Sequence, residues 1–578
     1  MAGPLTARLA APVTYLVLAV LGHLPAFRSL TTTTMCSCRD APQHDWFLGW
    51  TPYAISSGRS PWFTQHLVAP DGVNLMWNTS LPLPALLAWP VTATAGVLAS
   101  HTLLAVLSFA GSATTMWLAA GRFVQWPWAR FAAGLLYGFS PYLVAQGTGH
   151  LNLSLVLLPP LVLMLVHDLY VRQPRRAWVT GVLLGLVAMA QLLTTEEVLA
   201  STFVMGVVGT VVLAVQHRHV VRARVRHAVT GLVTAAGVLT VLAAWPLSVQ
   251  FFGPRRITES VQDTSPFAAD LLGGVVPTVH QALGTDATIE WGGNDSENGS
   301  YLGLPLVVVL VVLAWRFRSV AVVRWAAVVG LVAWVLSLGE RLHVAGSETP
   351  VPLPYLLFTT LPVLHNMVAV RYSLYVVLFA ALVLAVGLDR LHASGRLRPR
   401  VALPVALLCV VPLVPDWPYS YERSDAPPYF RSDAVQAVPA GSLALTYPVP
   451  RFPASAPMLW QAQAGFRYRS VGGYAYTPGP DGAGTFAGGI TAWERVVSQA
   501  PAGRLGEFAP QVRAALLLEM EQLDVRSILV ADRPGSEDVV RVVTGVLGRG
   551  PDEVTGGVTA WYDVQPRARR VELGLTTS

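Results

Sequence analysis

Lysine is absent from the 578 residues, so all 39 basic side chains are arginine. Charge of either sign is scarce: 12% of the residues are charged, against about 25% in ordinary soluble proteins. With 53% hydrophobic residues and a mean hydropathy of +0.49, most of the chain cannot be a water-soluble domain. It reads as an integral membrane protein. The three cysteines, Cys36, Cys38 and Cys409, make neither a disulfide framework nor a four-ligand zinc site. No Gly-rich Walker or Rossmann loop, no His-Glu-x-x-His helix and no Gly-x-Ser-x-Gly elbow occurs, which argues against an ATP-driven pump and a serine hydrolase. The net charge of +6 is arginine in the loops of a membrane protein, and nucleic acid is not the expected partner. A lysine-free composition suggests a high-GC genome, hence a bacterial one.

What is present is a series of apolar runs long enough for membrane helices. They cover residues 11–24, 101–120, 131–146, 151–171, 178–193, 198–216, 228–251, 302–315, 320–338, 368–388 and 401–414, which predicts about eleven spans. A further stretch, 81–99, is apolar but broken by Pro82, Pro84 and Pro90, and is expected to be re-entrant or interfacial. If it does not cross, the arginines of 122–130, 172–176, 218–226, 316–318 and 390–400 fall on the same side as the N-terminus. That is the pattern of cytoplasmic loops. The long outer loops, 28–80 and 253–301, together with 339–366 and everything after 414, then face outward. The expected localisation is the plasma membrane, multi-pass, with a cytoplasmic N-terminus.

Two regions follow: a helical membrane part, 1–414, and a soluble extracytoplasmic α/β domain, 415–578. In the second, β-branched runs at 443–449, 527–531 and 558–564 surround a helical pattern at 511–523. Its aromatics Trp460, Phe466, Tyr468, Tyr474 and Tyr476 lie in a Gly-rich stretch. They are either core residues or platforms for sugar rings.

Ionisable residues close to a membrane are costly and therefore functional candidates. Asp40 and Asp45 are paired carboxylates of the first outer loop, beside the aromatic run Trp46-Phe47-Leu48-Gly49-Trp50. His150, Glu196, Glu197, Glu297 and Arg371 occur at span ends on the same expected face. Each has a plainer reading: helix capping for either aspartate, an N-terminal pair for Glu196 and Glu197, a satisfied imidazole for His150, and a snorkelling cation at Arg371. Asn78, Asn152 and Asn298 fit the glycosylation sequon, a weak signal.

Several short motifs carry a family likeness: Cys38-Arg39-Asp40 with Trp46-Phe47-Leu48-Gly49-Trp50, Gly72-Val73-Asn74-Leu75, Tyr137-Gly138-Phe139-Ser140-Pro141, Gly149-His150-Leu151, Glu197-Val198-Leu199-Ala200 and Tyr301-Leu302-Gly303-Leu304-Pro305. With the acidic first outer loop and the half-inserted segment, they make the chain resemble the GT-C class of membrane glycosyltransferases. Within that class it is similar to the bacterial YfhO-like and RgtA/B/C/D-like multi-span proteins, over most of the membrane part. The resemblance implies a polyprenyl-phosphate-linked sugar donor and a cell-envelope glycan or lipid acceptor, with an acidic residue of the first outer loop as catalytic base. It places Asp40 there, with Asp45 second. His150, Glu196, Glu197, Glu297 and Arg371 become substrate-binding candidates, Arg371 towards the departing phosphate. No cofactor is required, though a carboxylate-rich site could hold a divalent metal.

Two other classes compete with a transferase. A flippase or transporter of lipid-linked saccharide would want ionisable groups midway through several spans. A non-catalytic scaffold of envelope assembly would tolerate replacement of Asp40.

Overall fold

The computed structural model describes residues 5–35, 40–361, 363–486, 491–502 and 510–574. Cys36, Cys38 and Arg39 therefore lie outside the described residues.

The chain is mostly helical, and the apolar runs of the sequence become helices of two lengths. Five are long and apolar enough to cross a membrane: Val97–Ala120, Leu151–Arg172, Glu196–Gln216, Ala223–Phe252 and Ala369–Ala393. Five shorter apolar helices are Leu9–Gly22, Ala177–Leu192, Leu304–Arg316, Ala321–Ser337 and Arg400–Leu413. The remaining run, 131–146, is cut in two, because Pro141 disfavours helical backbone at the residue before it. Pro127–Gly138 ends there, and Ser140 caps Pro141–Gly147 by accepting from the Leu143 N–H at 3.3 Å.

The proline-rich stretch forms a helix after all, Pro82–Ala95. Pro82 and Pro84 fall in the first turn, where no backbone donor is needed. Its 14 residues reach about 21 Å, short of the ~30 Å hydrocarbon layer. Gly96, at φ +86°, ends it before Val97–Ala120 begins.

By packing, the chain divides into two units. The first comprises Met1–Arg28, Thr102–Ala244 and Asp263–Tyr421. Its central helix, within Ala369–Ala393, is 83% buried, whereas Glu196–Gln216 and Ala223–Phe252 are 22% and 17% buried. Apolar helices so exposed need a lipid surround rather than water. Buried Asp168 gathers Arg122 (3.1 Å), Arg175 (3.4 Å) and Arg172 (4.0 Å), and Arg224 donates to the Tyr170 carbonyl at 3.2 Å. Three of the arginine clusters thus meet at one end of this unit.

Close packing in the first unit depends on Gly134 and Gly138, four residues apart on one helix. A Cβ on Gly134 would stand 2.7 Å from the Ala113 carbonyl oxygen, and one on Gly138 2.6 Å from the Ala113 Cα. Small residues at this spacing let two helix backbones approach. A Gly138→Val variant is expected to lose about 1–3 kcal/mol of stability by overpacking. A thermal midpoint in detergent equal to the parent's would contradict this.

The second unit comprises Ser29–His101, Trp245–Gln262 and Glu422–Ser578. Its five-stranded sheet runs in the order Glu553–Thr555, Val558–Trp561, Val525–Ala531, Leu443–Tyr447, Arg469–Ser470. Val525–Ala531 pairs in parallel with Leu443–Tyr447 and antiparallel with Val558–Trp561. The expected strands at 443–449, 527–531 and 558–564 correspond to three of these, and the expected helix to Pro510–Gln522. Both central strands are buried on both faces, as near-continuous apolar runs require. Leu443, Leu445, Ile528 and Val530 face a core with Trp493, Leu516, Val543 and Trp561. The alternate residues Ala444, Leu529 and Ala531 face Trp46, Trp50, Trp460 and Phe466 instead. The tail after residue 421 is therefore grouped with the segment 29–101, whose helix Ala41–Ser56 supplies aromatics to the second core.

This arrangement explains the aromatic run of the sequence. Trp46 and Trp50 stack at 5.1 Å, and the Trp46 indole donates to Gln461 Oε1 at 2.6 Å. Trp460, Phe466 and Tyr468 are buried core residues. His66 lies against Trp50 and Tyr53. Burial, together with the charges of Arg59 and Arg469, pushes its imidazole down to about 4, so it is neutral at pH 7.

Candidate functional site

In the second unit, Asp40 occupies the position before the first turn of Ala41–Ser56, with Pro42 just inside the helix. Its side chain makes no capping bond to the backbone. Instead the Tyr474 hydroxyl donates to Asp40 Oδ1 at 2.6 Å, and the carboxylate is half-buried. Gln43, one turn in, donates to the Tyr474 carbonyl at 2.5 Å, fixing the tyrosine to the same helix.

Tyr474 belongs to a ring cluster. Phe452 stacks on Phe486 at 5.3 Å, Tyr474 lies 4.8 Å from Phe486 and 5.4 Å from Phe452, and Tyr476 lies 4.1 Å from Phe486. Phe452 remains 52% exposed, so the cluster presents a ring at the surface. Asn78 holds the backbone of Tyr476 from both sides, accepting from its N–H at 2.7 Å and donating to its carbonyl at 3.0 Å. An asparagine used in this way, and 5% exposed, is unavailable to a glycan. A carboxylate held by a tyrosine hydroxyl beside aromatic faces is a suitable place to bind a sugar hydroxyl and remove its proton.

Asp45 lies in the interior of the same helix and is fully buried. Its Oδ1 pairs with His101 Nδ1 at 2.8 Å, and its Oδ2 has no hydrogen-bond partner among the described residues. A base must come within hydrogen-bond reach of the proton it takes, and Asp45 faces inward. His101 was not a candidate in the sequence, because its pairing with Asp45 joins positions 56 residues apart.

In the first unit, four of the five substrate-binding candidates come together. Arg371, in the turn Ala369–Tyr372, donates from Nε to Glu297 Oε1 at 3.0 Å, from Nη2 to the same oxygen, and from Nη1 to Glu197 Oε2. Glu197 Oε1 accepts from the Val368 N–H at 2.8 Å, and Glu297 Oε2 from Gln146 Nε2 at 2.8 Å. His150 Nδ1 is 2.7 Å from Gln146 Oε1 and 3.7 Å from Glu297 Oε1. Burial pushes the Glu297 carboxyl up, but Arg371, His150 and Gln146 hold it below its ordinary value.

Two carboxylates thus meet one guanidinium, and the guanidinium is engaged on both sides. Glu196 heads the same helix as Glu197, one residue earlier in its first turn. Gln146 was missed in the sequence because an amide at the end of an apolar run carries no charge signal. Its spacing of four from His150 was the available clue, although the structure ends the helix of Gln146 at Gly147 and His150 precedes the next one. Among the described residues no group of three or more His, Cys, Asp or Glu side chains could hold a metal ion.

Solved structures to which the chain shows some similarity include glycosyltransferases. The archaeal oligosaccharyltransferase AglB from Archaeoglobus fulgidus, in complex with an inhibitory peptide and a dolichol-phosphate, is 13% identical with a TM-score of 0.45, over 96% of this chain and 74% of that one. A second structure of the Archaeoglobus fulgidus oligosaccharyltransferase, tethered to an acceptor peptide, is 13% identical with a TM-score of 0.48, covering 91% and 69%. The arabinofuranosyltransferase AftD from Mycobacteria is 13% identical with a TM-score of 0.49, covering 91% of this chain and 36% of that one. At these identities and scores the likenesses transfer no residue roles. No curated protein matches the chain. A family model does match, over residues 11–411, and the chain accordingly belongs to the family described as a domain of unknown function, DUF6311.

Proposed function

We propose that the protein is a glycosyltransferase that moves a sugar from a polyprenyl-phosphate carrier to a cell-envelope acceptor at the outer face of the plasma membrane, with Asp40 as general base. The observation that carries this reading is the half-buried Asp40 carboxylate, held by the Tyr474 hydroxyl at 2.6 Å beside the Phe452, Tyr476 and Phe486 rings. An acceptor hydroxyl stacked there gives its proton to Asp40 as its oxygen attacks the anomeric carbon. The bond from that carbon to the phosphate oxygen breaks, and polyprenyl phosphate leaves with the electron pair. One such displacement inverts the anomeric centre, and the scheme needs no metal.

Within the first unit, taken by itself, Glu197 and Glu297 fixed by Arg371, with His150 and Gln146 alongside, are proposed as hydroxyl-binding carboxylates. Arg371 already serves two carboxylates, so its role is to order them rather than to clamp a free phosphate.

The test is release of polyprenyl phosphate by purified protein given a pool of polyprenyl-phosphate sugars and envelope glycan. No release under any donor, with donor still bound, would sink the transferase reading. Tyr474→Phe sharpens the test, because it removes the hydroxyl that donates to Asp40 and leaves the ring in place. Turnover should fall in this variant at an unchanged thermal midpoint. A fall in rate matched by a fall in midpoint would make Tyr474 merely structural.

A further inference from the structure

The second unit encloses a cavity of 440 Å³ that the catalytic scheme does not use. Tyr53, Trp89 and Phe466 supply its aromatic walls, and Arg431 and Gln463 its polar groups. Gly49 and Gly465 line it. A Cβ on Gly49 would come within 3.1 Å of the Phe466 ring, whereas Gly465, at φ +60°, has nothing within 4 Å of where its Cβ would be.

Two polar groups at this cavity are underused. Among the described residues Arg431 has no carboxylate in ion-pair range, and it makes a long polar contact, Nη1 to the Thr31 carbonyl at 3.4 Å. Among the same residues Gln463 Oε1 is buried without a donor. The wall that carries Trp89 belongs to the apolar helix Pro82–Ala95, which leaves Leu86 and Leu87 36% and 70% exposed. A lone cation and aromatic walls thus lie against an apolar helix that exposes Leu86, one turn before Trp89. Such a volume lies in the range of small-molecule sites, about 300–1,000 Å³.

We propose that this cavity binds an anionic bilayer phospholipid, its phosphate on the Arg431 guanidinium and its acyl chain along the exposed side of Pro82–Ala95. Arginine donors pair with phosphate oxygens by charge-assisted hydrogen bonds. Inorganic phosphate has no use for the aromatic walls, and a neutral saccharide leaves the cation unanswered. The proposal stands on the chain's being embedded in lipid and not on Asp40 chemistry.

The full chain in nanodiscs of phosphatidylglycerol or phosphatidylcholine, re-extracted into mild detergent, tests this by the lipid it retains. The parent should keep phosphatidylglycerol and not phosphatidylcholine, and Arg431→Gln should keep about tenfold less. Independently, phosphatidylglycerol brominated on its acyl chain should quench a fluorescence component present in the parent and missing in Trp89→Phe. Equal retention by Arg431→Gln, or no quenching assignable to Trp89, would overturn the proposal. Displacement of the retained lipid by inorganic phosphate would overturn it as well. Displacement by an equivalent of polyprenyl phosphate would make this a donor site instead.

Discussion

An Arg371→Met variant unfolds at a clearly lower temperature than the parent at pH 8, a loss of about 3–5 kcal/mol. The guanidinium touches Glu197 and Glu297, and the Glu297 side chain is only 1% exposed. Removing the cation leaves two carboxylates facing one another with little water. The loss depends on pH in a definite direction. In the parent, Glu297 is held below its ordinary value, so its contribution is present at neutral pH and fades only as pH falls through that lowered value. In the variant, burial acts without Arg371 and raises the carboxyl above its unfolded value. The protonated form then folds best, and stability is lost as pH rises through the raised value. The gap between parent and variant therefore narrows from pH 8 to pH 5. Thermal midpoints of both proteins in detergent at the two pH values measure it, and a gap independent of pH would refute this account. Replacing all three charges by apolar residues of similar volume should restore the midpoint, while leaving sugar transfer impaired if the carboxylates bind hydroxyls.

The members of this cluster were legible in the sequence because charge beside an apolar run is costly enough to demand a reason. That argument singled out His150, Glu197, Glu297 and Arg371, which the fold brings together from four separate segments. It was blind to Gln146, a neutral group. Arginine-rich loops stood out for a related reason: Asp168 joins two of the clusters, and Arg224 on the neighbouring Tyr170 carbonyl brings a third to the same end of the first unit. Local signals also served well in the tail, where β-branched runs mark the strands Leu443–Tyr447, Val525–Ala531 and Val558–Trp561. In 81–99 the prolines do not prevent a helix, since Pro82 and Pro84 begin it and Pro90 lies within it, and its 14 residues are compatible with the re-entrant or interfacial expectation. What no local pattern could supply is the pairing of distant pieces. The Trp46-to-Trp50 run stood out in the sequence only as an aromatic run beside Asp40 and Asp45, and it covers the second face of a sheet whose strands begin some 400 residues later. Asp40 and Tyr474, 434 positions apart, meet by the same long-range packing.

Asp40→Asn is the sharpest test of the chemistry, with an expected fall in turnover of about 10²–10⁴ and no fall in thermal midpoint. Asparagine keeps an acceptor for the Tyr474 hydroxyl and suits a helix-preceding position as well as aspartate does. What it removes is the basicity that takes up the acceptor proton, so kcat should drop while KM for donor and acceptor stays near the parent's. Asp45→Asn should behave in the opposite way. Asp45 is fully buried and pairs with His101, so the substitution disturbs a buried Asp–His hydrogen bond and lowers the midpoint. Turnover per folded molecule should change far less than with Asp40→Asn. Because both aspartates sit on one helix, five residues apart, the two variants share every indirect effect of disturbing that helix. A difference between them isolates the carboxylate that reaches the substrate from the one that holds the fold. Parental turnover in Asp40→Asn, with the loss appearing in Asp45→Asn at an unchanged midpoint, would move the base one turn inward and require the helix to expose Asp45 during the reaction.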